Sequence, residues 1–359
     1  MQLKLDNKKT YAIALEGGGA KGAYEIGAWQ ALEDAGIKYN AVSGTSVGAL
    51  NGALMAMRDL PRAVQVWSDM RLSKVIDVDE QGEEDLHRAM TGGLELDDIH
   101  ELMAQVLDII RNRGLDVAPL RAWVREVVDV KKVRNSDVEL FVCTVSLSDR
   151  KSLEIKINDL PEDEICDMLL ASAYHPSFRL EKLGGKLYTD GGFVDSLPLH
   201  VLVENGYKDI IAVRIPGIGR ERRFRMPDDV HVTTIQTNSD LGFVLNFDAE
   251  QARRDMVIGY LDAQRVLYGL YGRKYYIERG MTEREALDWL LDSCAGEGGN
   301  LRAVCEKELP RLARRLDAED GGYYELMAAR LEQLAAERDI DNMRIYTDTE
   351  LVELVKTGE

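Results

Sequence analysis

Residues 11–24 read YAIALEGGGAKGAY. An apolar run of strand length breaks into three glycines, then Ala20, Lys21 and Gly22. Ile26, Trp29 and Leu32 follow at three-residue steps. That spacing predicts a buried strand over 11–15, a glycine loop, and a helix over 23–35 that ends at Gly36. The pattern then repeats, with a short strand over 39–43, a glycine turn, and an apolar helix over 47–57. Strand, glycine turn and helix in tandem predict a parallel sheet with helices on its faces.

Working outward, residues 60–130 read as mostly helical, with polar punctuation at 79–85 and at Gly92-Gly93. Strands are expected at 138–145, 153–157 and 231–236, in KLYTDGG (186–192), and in DIIAVRI (209–215). A helix is expected over 162–173. Beyond about 245 the texture becomes helical and highly charged, over 248–271, 282–293, 300–316 and 322–338. The expected organisation is an α/β domain over 8–245 with an α-helical C-terminal region over 246–359 packed on it.

The chain has 359 residues, 45% of them hydrophobic, and a formal net charge of −18. It is long enough to bury a sizeable core. The acidic balance argues against nucleic acid and against general attraction to anionic lipid. No stretch approaches the roughly 18 uninterrupted apolar residues of a membrane helix. The N-terminus has no apolar leader core. The four cysteines, Cys143, Cys166, Cys294 and Cys305, are widely spaced. They read as buried free thiols of a reducing compartment, which points to the cytoplasm.

The chemistry centres on residues 41–57, AVSGTSVGALNGALMAM. Gly44-Thr45-Ser46-Val47-Gly48 fits G-x-S-x-G between a predicted strand and a predicted helix. In that context the serine sits on a tight turn, with Oγ above the sheet edge. The helix that follows adds its N-terminal dipole and free N–H groups.

The opening loop also fits G-x-G-x-x-G through Gly17, Gly19 and Gly22, a pattern used to cradle dinucleotides. Such a fold wants an acidic residue at the end of the next strand. Here that strand runs into Ser46 instead. The phosphate-loop pattern fails because Lys21 precedes Gly22 and Ala23. The alternative is that amides of Gly17, Gly18, Gly19, Ala20, Lys21 and Gly22 face an oxyanion that exists only during ester cleavage. Lys21 supports this loop, adds positive potential, or is a surface lysine at a helix start.

A serine hydroxyl needs a base. His87 and His100 lie in charged helical stretches, His200 faces the core or a helix start, and His231 lies in a strand. His175, beside Pro176, is the histidine most worth testing. Asp190 is the better candidate. It closes an apolar strand before Gly191 and Gly192, which permit a sharp reversal. Burial beside Leu187, Tyr188, Phe193 or Val194 would raise its basicity. Asp195 is expected to cap a helix or brace the loop.

Taken in order, these pieces resemble the patatin-like phospholipase family. Gly17–Gly22 looks like its oxyanion loop, Gly44–Gly48 like its elbow, and Asp190-Gly191-Gly192 like its D-G-[GA] motif. Residues 171–178, ASAYHPSF, resemble the family segment before the aspartate strand. In DGGFVDSLP, Ser196 replaces the usual asparagine. The resemblance covers about 11–213 and weakens through 241–265. It implies a three-layer α/β/α sandwich with a mostly parallel sheet. It further implies Ser46 as nucleophile and Asp190 as base, without histidine, metal or cofactor, acting through an acyl-enzyme on lipid or phospholipid esters.

Helices within 60–130, with Leu102, Val106, Leu107 and Ile110 on apolar faces, are expected to pack in the core, to line an acyl groove or to form a lid. The arginines of RIPGIGRERRFRMP (214–227) either pair with acidic neighbours or meet lipid phosphates at a membrane surface. Two further readings stay open, a nucleotide-binding protein and a non-catalytic regulatory module built on the glycine-rich loop.

Overall fold

The computed structural model describes residues 1–77, 114–217, 219–295 and 301–357. His87, His100, the punctuation at 79–85 and 92–93, and the apolar positions 102, 106, 107 and 110 lie outside the described residues. The described chain divides into two compact units, Asp6–Ala263, and Met1–Leu5 with Gln264–Glu359.

The larger unit opens with β1 (Thr10–Leu15), the glycine loop and α1 (Ala23–Asp34). Next come β2 (Lys38–Thr45), α2 (Val47–Ala56) and α3 (Leu60–Ser68). After α4 (Ala118–Val127) the chain forms β3 (Glu139–Ser146), β4 (Lys151–Lys156) and α5 (Glu162–Ser172). Then follow β5 (Tyr188–Asp190), α6 (Leu199–Glu204), β6 (Asp209–Arg214) and β7 (His231–Gln236). The long helix α7 (Ala249–Tyr268) begins in this unit and continues past Ala263.

The central sheet runs β4-β3-β2-β1-β6-β7, and β5 also pairs with β3. Four neighbouring pairs are parallel, β1·β2, β1·β6, β2·β3 and β6·β7. β4 and β5 run antiparallel to β3. The sheet is therefore mostly parallel and carries helices on its faces, as expected. Ile13, Ala14, Ile210 and Ile211 at its centre are fully buried. A parallel sheet covered on both faces needs continuous apolar runs of this kind. The edge strands are KSLEIK and HVTTIQ, whose charges and threonines suit exposed rims.

One feature of the pairing positions the site. β2 pairs with β3 as far as Thr45↔Cys143. β5 pairs with β3 from the opposite direction, beginning at Asp190↔Thr144. β4 occupies the other edge of β3 over the same residues. The carboxyl ends of β2 and β5 therefore meet head to head, against consecutive residues of one strand.

The smaller unit is built on α8 (Glu283–Ala295), α9 (Leu309–Leu316), α10 (Tyr323–Ala336) and α11 (Asp348–Thr357). A two-stranded parallel sheet joins them, β8 (Tyr276–Glu278) with β9 (Ile345–Thr347). Three-residue strands leave no periodicity to read, so these were not expected. Tyr324, Met327, Leu331, Leu290 and Leu351 form the centre of this unit's core. All four cysteines are free thiols, but only Cys143 is buried, and Cys305 is exposed on the charged helical segment.

Candidate active site

Ser46 joins β2 to α2 with φ 55° and ψ −123°. A non-glycine residue at positive φ is strained, and its neighbours have to make room. A Cβ on Gly44 would lie 2.2 Å from the Gly48 carbonyl oxygen, and one on Gly48 would lie 2.7 Å from that of Leu15. Only glycine fits either place. The Ser46 amide donates to Ser172 Oγ at 3.0 Å, and the Ser172 hydroxyl donates to the Cys143 carbonyl at 2.6 Å. The last residue of α5 thus ties the turn to β3.

Asp190 sits at the end of β5, 5% exposed. Its Oδ1 accepts the Gly192 amide at 2.7 Å. Burial pushes the Asp190 pKa up to about 6, against the opposing pull of the Ser46 side chain and the Gly192 amide. Of the residues expected beside it, Tyr188 is buried, whereas Phe193 and Val194 are largely exposed. Gly191 packs so closely on β3 that a Cβ there would lie 2.3 Å from the Cys143 carbonyl oxygen.

The described histidines are placed differently. His200 is buried, with Nδ1 2.7 Å from Asp195 Oδ2 and Nε2 2.7 Å from Glu154 Oε1. Burial lowers its pKa, but these two carboxylates outweigh that and raise it. Asp195 therefore braces the loop, as expected. Its carbonyl also accepts Thr45 Oγ1 at 2.8 Å, which ties the loop to the last residue of β2. His231 is exposed at the start of β7. His175 borders the cavity described below, where its Nδ1 lies 2.8 Å from Ser177 Oγ.

The glycine loop lies against the elbow, and a Cβ on Gly17 would sit 3.3 Å from Ser46 Cβ. The loop's amides divide into two kinds. Gly17 donates to the Ser196 carbonyl at 2.9 Å and Ala20 to the Val244 carbonyl at 2.8 Å. The amides of Gly18 and Gly19 have no protein acceptor among the described residues. Gly19 has φ +61°, and a Cβ there would lie 2.2 Å from the Val244 carbonyl oxygen. Lys21 supports the loop, donating from Nζ to the Pro216 carbonyl at 2.7 Å. Ser196, the departure from the family pattern, proves to be a direct neighbour of the loop.

Beneath the loop, Asn51 of α2 donates to the Gly22 carbonyl at 2.9 Å and to Glu25 Oε2 at 2.7 Å. Its Oδ1 accepts Trp67 Nε1 at 2.9 Å. Burial holds the Glu25 carboxyl well above its usual range. This network fixes the loop, the elbow helix and a wall of the cavity to one another.

Ser46, Asp190 and Gly17–Gly19 open onto a cavity of about 600 Å³. Its apolar walls include Trp67, Met70, Ile76, Leu120, Trp123 and Phe178. Its size falls within the usual range for small-molecule sites. Ser172, Trp67, Trp123 and Val244 are contributors that the sequence left unassigned. Only Ser172 had a signal, its place in the segment ASAYHPSF. Among the described residues, no helix is long and apolar enough to cross a membrane.

A sequence profile described as patatin-like phospholipase matches residues 13–203. Patatin-like phospholipase domain-containing protein 6 of Homo sapiens is 27% identical over 208 residues, which is 57% of this chain and 13% of that protein. Lysophospholipase nte1 of Aspergillus terreus is 48% identical over 48 residues, 13% of this chain and 3% of that protein. The chain therefore spans only a small part of the curated relatives it matches. Among solved structures, VipD from Legionella pneumophila is similar at 16% identity with a TM-score of 0.38, covering 92% of this chain and 80% of that one. With the family profile extending over more than half of its residues, the chain belongs to the patatin-like phospholipase family.

Proposed function

We propose that this chain is a serine lipid acyl hydrolase, cleaving carboxylic esters of phospholipid or lysophospholipid type through a Ser46–Asp190 dyad. The observation that carries the reading is a strained serine and a buried carboxyl that line one apolar cavity, with the serine side chain acting on that carboxyl. The Asp190 carboxylate takes the Ser46 hydroxyl proton as Oγ attacks the ester carbonyl. The resulting oxyanion is held by the Gly18 and Gly19 amides, and each such donor is worth about 100- to 1000-fold in rate. The tetrahedral species collapses with loss of the alcohol, which receives the proton from Asp190, leaving the acyl group on Ser46. Water then attacks the acyl-enzyme, with Asp190 again as base, and as the fatty acid departs Asp190 returns that proton to Ser46 Oγ. A pKa of about 6 lets one carboxyl serve as base and acid near neutral pH.

The walls of Trp67, Met70, Ile76 and Trp123 suit an acyl chain. The test is labelling with a fluorophosphonate probe and peptide mapping, alongside hydrolysis of a p-nitrophenyl acyl ester. Labelling at Ser46, and loss of hydrolysis in Ser46→Ala, are the expected results. Binding of NAD or ATP without esterase activity would replace this reading with the nucleotide-binding one.

A further inference from the structure

The rim of the cavity has a composition the proposed chemistry does not require. Phe193 and Phe243 both line the cavity, yet each is 51% exposed, and Val194 beside Phe193 is 41% exposed. Large apolar side chains held in solvent next to a binding site mark a contact surface. Arg220 lines the same opening. Its backbone is fastened to the Phe193 loop, since its amide donates to the Gly192 carbonyl at 2.9 Å and its carbonyl accepts the Ser196 amide at 2.6 Å.

The arginines that follow divide by partner. Arg214 is paired with Glu16 and Glu221, and Arg222 with Glu154. The Phe224 ring turns with Arg222 toward His200, 6.1 Å between centroids. Arg220, Arg223 and Arg225 are exposed and have no ion pair among the described residues. In a chain of net charge −18, three exposed guanidinium groups without an ion pair among the described residues, the first of them lining the cavity, are a local reversal of sign. Their planar forks match phosphate oxygens, and Phe is among the apolar side chains that surface-bound segments bury at the headgroup and acyl-chain boundary.

We infer that this rim is a membrane-docking surface. Phe193, Val194 and Phe243 enter the boundary of an anionic phospholipid bilayer, while Arg220, Arg223 and Arg225 engage its phosphates, so that the cavity opens onto the lipid. The inference rests on the lipid-hydrolase reading, and its test reads binding separately from hydrolysis.

The Ser46→Ala protein, which consumes no lipid, is floated with vesicles of pure phosphatidylcholine and with vesicles containing one-third phosphatidylglycerol. Binding is expected to the second kind only, and to weaken as salt screens the arginines. Adding Arg223→Glu/Arg225→Glu should lower the vesicle partition coefficient at least about tenfold. The same pair of changes in an otherwise native chain should leave hydrolysis of a soluble p-nitrophenyl butyrate unchanged. Phe193→Ser, with an unchanged thermal melt, should also release the vesicles.

Vesicle binding that ignores both salt and the arginine reversal would overturn the inference. So would a dimer in light scattering that Phe193→Ser dissociates, because the rim would then belong to a second copy. Arginine-dependent vesicle binding without any esterase activity would support the surface while removing the hydrolase reading.

Discussion

The amide of Ser46 donates to the hydroxyl of Ser172 at 3.0 Å. Ser172 is fully buried and donates a hydrogen bond from its own hydroxyl to the Cys143 carbonyl, so one side chain couples α5, the elbow and β3. Ser172→Ala leaves a turn amide without its partner in a strained conformation. A stability loss of about 1–3 kcal/mol follows from the unsatisfied group. Hydrolysis should fall about 10- to 100-fold, since small displacements of a reacting group are costly. Ser172→Thr, which keeps the hydroxyl, should recover part of the activity. Steady-state kinetics on a soluble ester and a denaturant titration read the two effects. An unaltered kcat in Ser172→Ala would show that the tie does not set the geometry of Ser46.

In the proposed dyad, the pH dependence of hydrolysis follows from the state of Asp190. The base must be ionised to receive the proton, and burial places its titration at about 6. The rate should therefore rise as pH increases through about 6 and level off by about pH 7. Asp190→Asn should lower the rate at least about 1000-fold and remove this limb. His175→Ala and His200→Ala should retain most of it. A limb that persisted in Asp190→Asn, and vanished in one of the histidine variants, would transfer the base role to that histidine.

The same burial acts on stability with the opposite sign. Asp190 titrates at about 6 in the folded chain, against about 3.9 in an unfolded one. Between those values the folded form holds a proton that the unfolded form has released. Stability therefore falls as pH rises from about 4 to about 6, and stays lower above that range. Two units correspond to about 3 kcal/mol at 1.36 kcal/mol per unit. Asp190→Asn should melt above the parent at pH 8 and level with it near pH 3.5. Equal melting temperatures at both pH values would show that the carboxyl is not desolvated as described.

Much of this site could be read before any coordinates. Gly44, Gly48 and Gly19 are legible because the backbone there tolerates no other residue, and such a demand leaves a local mark in the sequence. Asp190 is legible for a related reason, standing where a strand breaks into two glycines. The meeting of β2 and β5 was not legible. It depends on two strands docking from opposite directions on Cys143 and Thr144, and β5 has only three residues. Of the residues expected beside Asp190, Tyr188 is buried while Phe193 and Val194 are largely exposed, and nothing in the strand-and-glycine pattern separates them. Ser172 acts by hydrogen bonds across the fold, and no periodicity reports those. The C-terminal charge pattern correctly indicated helices but hid β8 and β9, whose pairing joins residues far apart in the chain.

Gly19 separates the oxyanion role of the loop from a merely structural one. A methyl group there would lie 2.2 Å from the Val244 carbonyl oxygen, at a φ of +61°. Gly19→Ala must shift the loop, and with it the Gly18 and Gly19 amides, while Ser46 and Asp190 remain on their strands. Hydrolysis should drop about 100-fold or more, the scale of losing one oxyanion donor. A fluorophosphonate, whose phosphoryl oxygen needs the same donors, should label this variant correspondingly slowly. Rapid labelling together with the parent's kcat would mean that the loop amides do not hold the oxyanion.

The cavity walls make the last prediction. Ile76 is 6% exposed and lines the cavity with Trp67, Met70 and Trp123. If these walls hold the acyl chain, Ile76→Trp fills part of the roughly 600 Å³ while leaving Ser46 and Asp190 unchanged in sequence. Discrimination by an apolar pocket amounts to about 1–3 kcal/mol per methylene gained or lost. The variant should thus hydrolyse p-nitrophenyl acetate at the parent's rate and lose activity progressively with chain length, by about 100-fold for the longest chains. kcat/KM measured across a series of chain lengths reads this directly. A uniform loss at every length would point to a general disturbance of the fold, whereas an unchanged profile would place the acyl chain outside this cavity.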